Sequence, residues 1–243
     1  MSEHIRKFNP VQYSIDIETL GQGNDSYIIA IGCAAFNIET GSIIDTFYKN
    51  TFCGNGFSID VDTVFWWLEQ KDEPRLELVN KKESQVYIHT ALADLANFIL
   101  DHDNAQVWGN GSIFDIGVLE HAYKVCKLSP PWHFRNILDM RTIVNVARVK
   151  GFNRYRTPFT GVHNALADAT QQALVISEAY NMINNGTYLD GELEGTVAGS
   201  DAARLVHTEK ICKHDLSYLG RSHGGTDILR CLKCGLITVD ENA

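Results

Sequence analysis

Residues 11–21 read VQYSIDIETLG, and the two acids inside this stretch decide what kind of chain it is. Val11, Tyr13, Ile15 and Ile17 alternate with Gln12, Ser14, Asp16 and Glu18. A strand sends successive side chains to opposite faces. The apolar set therefore lies on one face, and Asp16 and Glu18 share the other, about 7 Å apart. Two like charges at the end of a strand that must pack repel each other and resist burial. They need a positive partner.

The whole chain sets bounds on that partner. It has 243 residues, enough for one α/β domain plus an appendage. At 44% hydrophobic it can build a core, yet it contains no apolar run of the length a membrane span requires. The N-terminal MSEHIRKFNPVQYSID reaches the first strand with no apolar leader, so no secretory signal and no membrane partner are expected. The net charge of -9 argues against coating a long duplex by bulk electrostatics, but not against gripping a strand end. Cys33, Cys53 and Cys126 sit singly among apolar residues and read as reduced thiols. A cytoplasmic setting is expected, host cytoplasm if the chain is phage-encoded.

Outward from Asp16 the pattern continues as a mixed α/β domain. YIIAIGCAAFN (27–37) is apolar enough for a buried strand, and SIIDTFYKNT (42–51) is its hairpin partner. VDTVFWWLEQ reads as a helix capped by Asp60 or Asp62, and EPRLELVN as a short helix with Pro74 near its first turn. VYIHTALADLANFILDH has helical spacing, AQVWGNG is a short strand, and IFDIGVLEHAYKVC is a helix. ILDMRTIVNVARV starts as a strand and becomes a helix, and HNALADATQQALVISEAYNMIN is a long helix. Strands first, then alternating helices and short strands, suit a mixed sheet flanked by helices. Residues 1–186 form this domain. Residues 187–206 are Gly-rich and acidic and read as a linker, and 207–243 form a separate small module.

Three other acidic or basic positions can join the pair. Asp115 lies in the first turn of a helix, after a strand and a glycine turn. His163 precedes Asp168 by four intervening residues, so a loop histidine and a helical aspartate can face one pocket. Asp115 in a first turn also favours the helix dipole, and both roles are compatible. Converging carboxylates with no basic partner are driven toward protonation unless a cation neutralises them. Carboxylate oxygens suit Mg²⁺ or Mn²⁺ rather than zinc. Two such ions, about 4 Å apart, activate a water and stabilise the leaving oxygen of a phosphodiester.

DIET with Asp16 and Glu18, FD with Asp115, and HNALADA with His163 and Asp168 resemble the DEDDh 3′–5′ exonucleases, whose fold is ribonuclease-H-like. VFWWLEQ, WGNGSIFD, FRNILDMRT and GVHNALADATQQA further resemble the group of tailed-phage exonuclease A and exonuclease VIII-type RNase H domains. The resemblance runs from about Val11 to Tyr180 and leaves the C-terminal module uncovered. It implies that Asp16 bridges two metal ions, Glu18 and Asp168 hold the first, and Asp115 holds the second. It makes His163 the general base and sets Thr19 and Leu20 beside the terminal nucleotide.

Arg141 to Gly161 carries Arg141, Arg148, Lys150, Arg154 and Arg156 and no acid, with Phe152, Tyr155 and Phe159 interleaved. Lys150, Arg154 and Arg156 are expected to hold phosphates upstream of the scissile bond; a merely solvated loop is the alternative. Arg141 is expected to pair with Asp139 or with a site carboxylate. Trp66 and Trp67 invite base stacking, but adjacent helical positions lie about 100° apart. One of the two is expected in the core.

In the C-terminal module Cys212, His214, Cys231 and Cys234 supply three sulfurs and one imidazole, as in small zinc ribbons. His207 and His223 are alternative ligands. A module this short does not readily bury a sufficient core, so one structural Zn²⁺ would supply its folding energy. Residues 207–243 hold five Lys/Arg and five Asp/Glu, so contact with a protein partner is as plausible as contact with nucleic acid. The expected activity is removal of nucleoside 5′-monophosphates from single-stranded 3′ ends, DNA preferred from the phage resemblance. RNA is the alternative substrate, and a binding or scaffold role on an inactive nuclease fold is the alternative class.

Overall fold

The computed structural model describes residues 9–70, 84–100, 102, 104–154 and 163–186, and the backbone of 216–221, 227–231 and 237–240. The chain divides into two compact units, Met1–Leu189 and Asp190–Ala243.

The first unit begins with three long strands, β1 (Val11–Thr19), β2 (Ile28–Asn37) and β3 (Ile43–Phe52). They pair in antiparallel sequence, with β2 between its neighbours. Helix α1 (Val61–Glu69) follows, its first turn closed by the Asp60 carboxylate accepting from the Asp62 N–H. Next come β4 (Val86–Tyr87), α2 (Ile88–Phe98), β5 (Val107–Gly109) and α3 (Ser112–Val125). A short 3₁₀ turn (Phe134–Asn136) leads into β6 (Ile137–Asp139), α4 (Met140–Arg148) and the long α5 (Ala165–Asn185). The sheet order is β4-β3-β2-β1-β5-β6. β5 runs parallel to β1, β6 parallel to β5, and β4 parallel to β3. This is a mixed sheet covered by helices, as the alternation of elements predicts.

One difference from the sequence reading has a local cause. Val86 and Tyr87 lie in a strand, because the edge of β3 at Thr51 and Phe52 offers them backbone partners before the helical pattern begins. The polar face of β1 is not solvated: Gln12 and Ser14 are buried. The alternation along β1 separates two covered faces. Tyr13, Ile15 and Ile17 join one core with Leu92 and Leu95 of α2 and Leu119 and Tyr123 of α3. On the other face Ala34, Phe36 and Trp108 pack with Met140 and Val144 of α4 and Ile176 and Ala179 of α5. The helix expected over EPRLELVN lies outside the described residues.

Gly32 explains how α5 reaches the sheet. It pairs with Asp16 across the ladder. A Cβ on it would lie 2.2 Å from the Ala165 carbonyl carbon and 2.4 Å from the Leu166 nitrogen. Only a residue without a side chain lets the first turn of α5 settle against β2 beside Asp16.

The second unit contains a three-stranded antiparallel sheet, β7 (Leu216–Arg221), β8 (Asp227–Cys231) and β9 (Ile237–Asp240), in sequential order. Leu216 pairs with Cys231. Among the described residues no helix is long and apolar enough to cross a membrane.

Candidate active site

The site forms where β1 outruns β5. The pairing of the two strands ends at Ser14 and Trp108, so the β1 segment from Asp16 to Thr19 extends beyond its short neighbour. Its open edge is met by a side chain. The Tyr13 N–H points to β5 and donates to Gln106, and the N–H of Ile17 has the same parity. The carboxylate of Asp115, in the first turn of α3, accepts from that Ile17 N–H.

Asp168 comes from the other face. Asn164 caps α5 by accepting from the N–H groups of Leu166 and Ala167 at 3.2 and 3.0 Å. The Asp168 carboxylate accepts in return from the Asn164 backbone N–H. With α5 seated on Gly32, one oxygen each from Asp16, Glu18 and Asp168 lies within 4.8 Å of the others. Asp115 stands beside this trio rather than inside it, close enough that its charge acts on Asp16.

The electrostatics show what the cluster lacks. Burial pushes the Asp16 carboxyl well above the ordinary carboxylate range, and the charges of Asp115, Glu18 and Asp168 push it further. A hydrogen bond from the Gln172 amide to Asp16 Oδ1, 2.7 Å long, pulls partly the other way. Asp115 is raised to about 7 by burial, against the Ile17 N–H and the nearby Arg141 guanidinium. Asp168 is also raised by burial, with His163 and the Asn164 N–H opposing. Asp168 Oδ1 is buried with no hydrogen-bond partner. Among the described residues no lysine or arginine forms an ion pair with Asp16 or Asp168. Clustered hard oxygens, one of them buried and unpartnered, fit a small divalent cation of the magnesium or manganese kind.

His163 precedes the α5 cap with φ of 45°, a left-handed conformation uncommon outside glycine. Its ring packs edge-to-face on Trp66 at 4.9 Å and on Trp67 at 6.0 Å. Trp67 is buried and Trp66 is partly exposed, so the pair divides as the helical angle requires. A cleft of about 440 Å³ opens here, lined by Ile17, Glu18, Thr19, Thr63, Trp66 and Phe114 among others.

The remaining expected residues are placed as follows. Thr19 lines the cleft, but its hydroxyl donates to the Gly21 carbonyl at 2.7 Å. Leu20 ties the end of β1 to its neighbours: its N–H donates to Tyr27 O and its carbonyl accepts from the Asp60 N–H. Lys150 is exposed beyond the end of α4, and Arg154 is half-buried. Arg156, Cys212, His214 and Cys234 lie outside the described residues, and Cys231 ends β8. Asp139 is not the partner of Arg141. It accepts from the Thr142 N–H at the start of α4 and from the Ser112 N–H at the start of α3. Arg141 instead donates to the Asn110 side chain at 3.2 Å and acts on Asp115 by charge.

Sequence reasoning missed Gln172, Gly32 and the contact of Trp66 with His163. Gln172 was findable: it lies four residues after Asp168, hence on the same helical face. Gly32 was not, because nothing local shows which residue pairs with Asp16. The tryptophan contact joins positions 97 apart in sequence.

Comparison with known proteins bears on the fold and the family. The structure is similar to exonuclease I of Methylocaldum szegediense, with a TM-score of 0.50 and 16% identity over 74% of this chain and 42% of that one. It is similar to the zinc-bound E. coli exonuclease I complex with single-stranded DNA, with a TM-score of 0.56 and 12% identity over 74% and 42%. A complex of the same E. coli enzyme with a 5cy-dT13 oligonucleotide gives 0.53 and 12% over 73% and 42%. The chain thus spans less than half the length of these exonuclease I chains, and the likeness is one of fold. No curated protein matches the chain. The grouping with phage exonucleases A and VIII finds no counterpart in these matches. The profile of the 3′–5′ exoribonuclease Rv2179c-like domain matches residues 11–180, which hold β1, both cores and every carboxylate described above, and the chain belongs to that family of 3′–5′ exonucleases.

Proposed function

We propose that the first unit is a two-metal 3′–5′ exonuclease that releases nucleoside 5′-monophosphates from single-stranded ends. One observation carries this: one oxygen each of Asp16, Glu18 and Asp168 converges within 4.8 Å, and Asp168 Oδ1 is buried with no hydrogen-bond partner. Asp16 would be shared by two Mg²⁺ or Mn²⁺ ions, with Glu18 and Asp168 on one and Asp115 on the other. When bound, such ions polarise the scissile phosphate and stabilise the oxygen that leaves. His163 takes the proton of the attacking water as its oxygen bonds to phosphorus. The bond from phosphorus to the 3′ oxygen of the preceding nucleotide breaks, and the terminal nucleotide departs with its 5′ phosphate. Thr19 and Leu20 would border that nucleotide, Thr19 as a lining residue of the cleft. Lys150, Arg154 and Arg156 hold phosphates further upstream.

RNA is the first substrate to test, because the family matched over residues 11–180 is described as exoribonuclease. DNA is the second reading, favoured by exonuclease I structures that hold single-stranded DNA on a similar fold. Matched 5′-labelled RNA and DNA strands, incubated with the full chain and Mg²⁺ or Mn²⁺, decide between them. A ladder shortening from the 3′ end supports the activity, and the faster strand names the substrate. Retention of both strands intact, bound or free, would exclude it.

Residues 207–243 are proposed to bind one structural Zn²⁺ through Cys212, His214, Cys231 and Cys234, with 187–206 as linker. The strand register supports this. Leu216 pairs with Cys231, and His214 precedes Leu216 by two residues in the sequence. The module would then offer a rigid surface to a protein partner. Three free thiols, Cys33, Cys53 and Cys126, accord with a reducing cytoplasmic location.

A further inference from the structure

His163, Trp66 and Trp67 form a closed triangle of rings. The indoles stand edge-to-face on one another at 5.1 Å, and each does so on the imidazole. Trp67 fixes one corner: its Nε1–H donates to the Thr19 carbonyl at 2.9 Å, at the end of the strand that carries Asp16 and Glu18. Trp66 is different. It is 40% exposed and forms a wall of the cleft that also holds Glu18 and Phe114. The His163 backbone sits at positive φ, a conformation that persists only where its surroundings hold it. Two of those surroundings are the indoles; both line the cleft, and Trp66 is the exposed one.

We infer that the cleft takes the 3′-terminal nucleobase, and that stacking of this base on Trp66 braces the indole and so aims the His163 ring. Cleft filling and alignment of the general base become one event. This rests on the exonuclease reading and adds what the site asks of its substrate: an intact, unstacked terminal base. The observations favour a flat aromatic ligand. The cleft is of nucleotide size, its walls carry two indoles and a phenyl ring, and Glu18 of the carboxylate cluster lines it. Trp66 is a binding residue. Trp67 is a positioning residue that acts through His163.

The test compares two 5′-labelled single strands that differ only at the 3′ end, one ordinary and one with an abasic terminal residue. The full chain is held in excess with Mn²⁺, so that binding and the maximal rate separate. The abasic end should lower the maximal rate about 10–100-fold, the worth of one base–aromatic stack. Trp66→Ala should slow the ordinary strand by a similar factor and cost far less on the abasic strand, since both changes remove the same contact. Trp66→Phe should restore most of the loss. Trp67→Phe keeps a ring but loses the bond to Thr19; it should lower the maximal rate while leaving KM unchanged.

Equal rates on the two strands with the unmodified protein would overturn the inference. So would equal slowing of both strands by Trp66→Ala, which marks a purely structural indole. The strand comparison needs no variant, so poor folding of a substituted chain leaves the question decidable. If the unmodified protein shortens neither strand with Mg²⁺ or Mn²⁺, the exonuclease reading itself falls, and this inference with it.

Discussion

The two units of this chain differ in the donors they would offer a metal. The first buries Phe36, Tyr123, Leu92 and a series of isoleucines on two faces of a six-stranded sheet. Its buried carboxylates are a cost that the core carries. The second has three short strands, and its sequence holds a set of sulfur and imidazole groups where a core of comparable size would be needed. In the first unit the proposed cation would serve chemistry, and the carboxylates that would hold it cost stability. In the second, the proposed zinc serves stability and no chemistry. Residue types alone separate the cases: hard oxygens for the first, thiolates and imidazole for the second.

The contrast can be broken most severely by removing one ligand from each unit. Asp16→Asn should reduce turnover about 10³-fold or more, because several kcal/mol of charge stabilisation go with the shared ligand. The same change removes a like charge from a buried cluster, so thermal unfolding of the substituted protein, measured without added metal, should occur at an equal or higher temperature. A lower temperature would mean that Asp16 supports the fold. Cys231→Ser should do the reverse: loss of sheet signal from the second unit in two-dimensional amide NMR, with the signals of the first unit unmoved. An unchanged spectrum would remove zinc from that unit.

His163→Ala should lower kcat by about 10²–10⁴-fold, the usual worth of a positioned base, without loss of Mn²⁺ binding. Near-normal turnover would remove His163 from the chemistry. Gly32→Ala is the packing counterpart. Its methyl would meet the α5 backbone at 2.2 Å, so the helix must shift away from β1. The expected cost is about 1–3 kcal/mol of stability in urea melts, with a weaker Mn²⁺ affinity because Asp168 moves with the helix. Unaltered stability and affinity would show that α5 is not seated through this glycine.

The smallest and most graded effect is the dependence on pH. Asp16, Asp115 and Asp168 hold protons more tightly folded than unfolded. Between the unfolded carboxylate range and about 7, the value for Asp115, the folded state therefore binds more protons. Stability measured with chelator present is fullest in acid and declines as pH rises through that window. Added Mg²⁺ or Mn²⁺ should offset the decline, increasingly so toward neutral pH, since the ions need deprotonated ligands. A chelated protein of the first unit that gains stability from pH 5 to 7 would show this charge accounting to be mistaken.

How far the sequence alone reaches differs along the site. Asp16 and Glu18 were legible because a period-two strand states which side chains share a face. Asp168 and His163 were legible from helical spacing. Long strands and the terminal helix stood out because their apolar patterns run for many residues. Illegible were features set by contacts between distant segments. Gly32 matters only because it lies opposite Asp16 and under Ala165. Asp139 caps two helices at once, a role that requires β6 to end beside the start of α3. The burial of Gln12 and Ser14 follows from helices covering both faces of the sheet, which no alternation within β1 reports.

The central claim is that Asp16, Glu18, Asp168 and Asp115 form a cation site that is chemically incomplete alone. Crystals of the full chain soaked with Mn²⁺ and a nucleoside 5′-monophosphate test it most directly, through anomalous scattering at the manganese edge. The account predicts two manganese peaks, with Asp16 bound to both and the nucleotide phosphate against them. Anomalous density absent from these carboxylates, with manganese elsewhere or nowhere in the first unit, would contradict it.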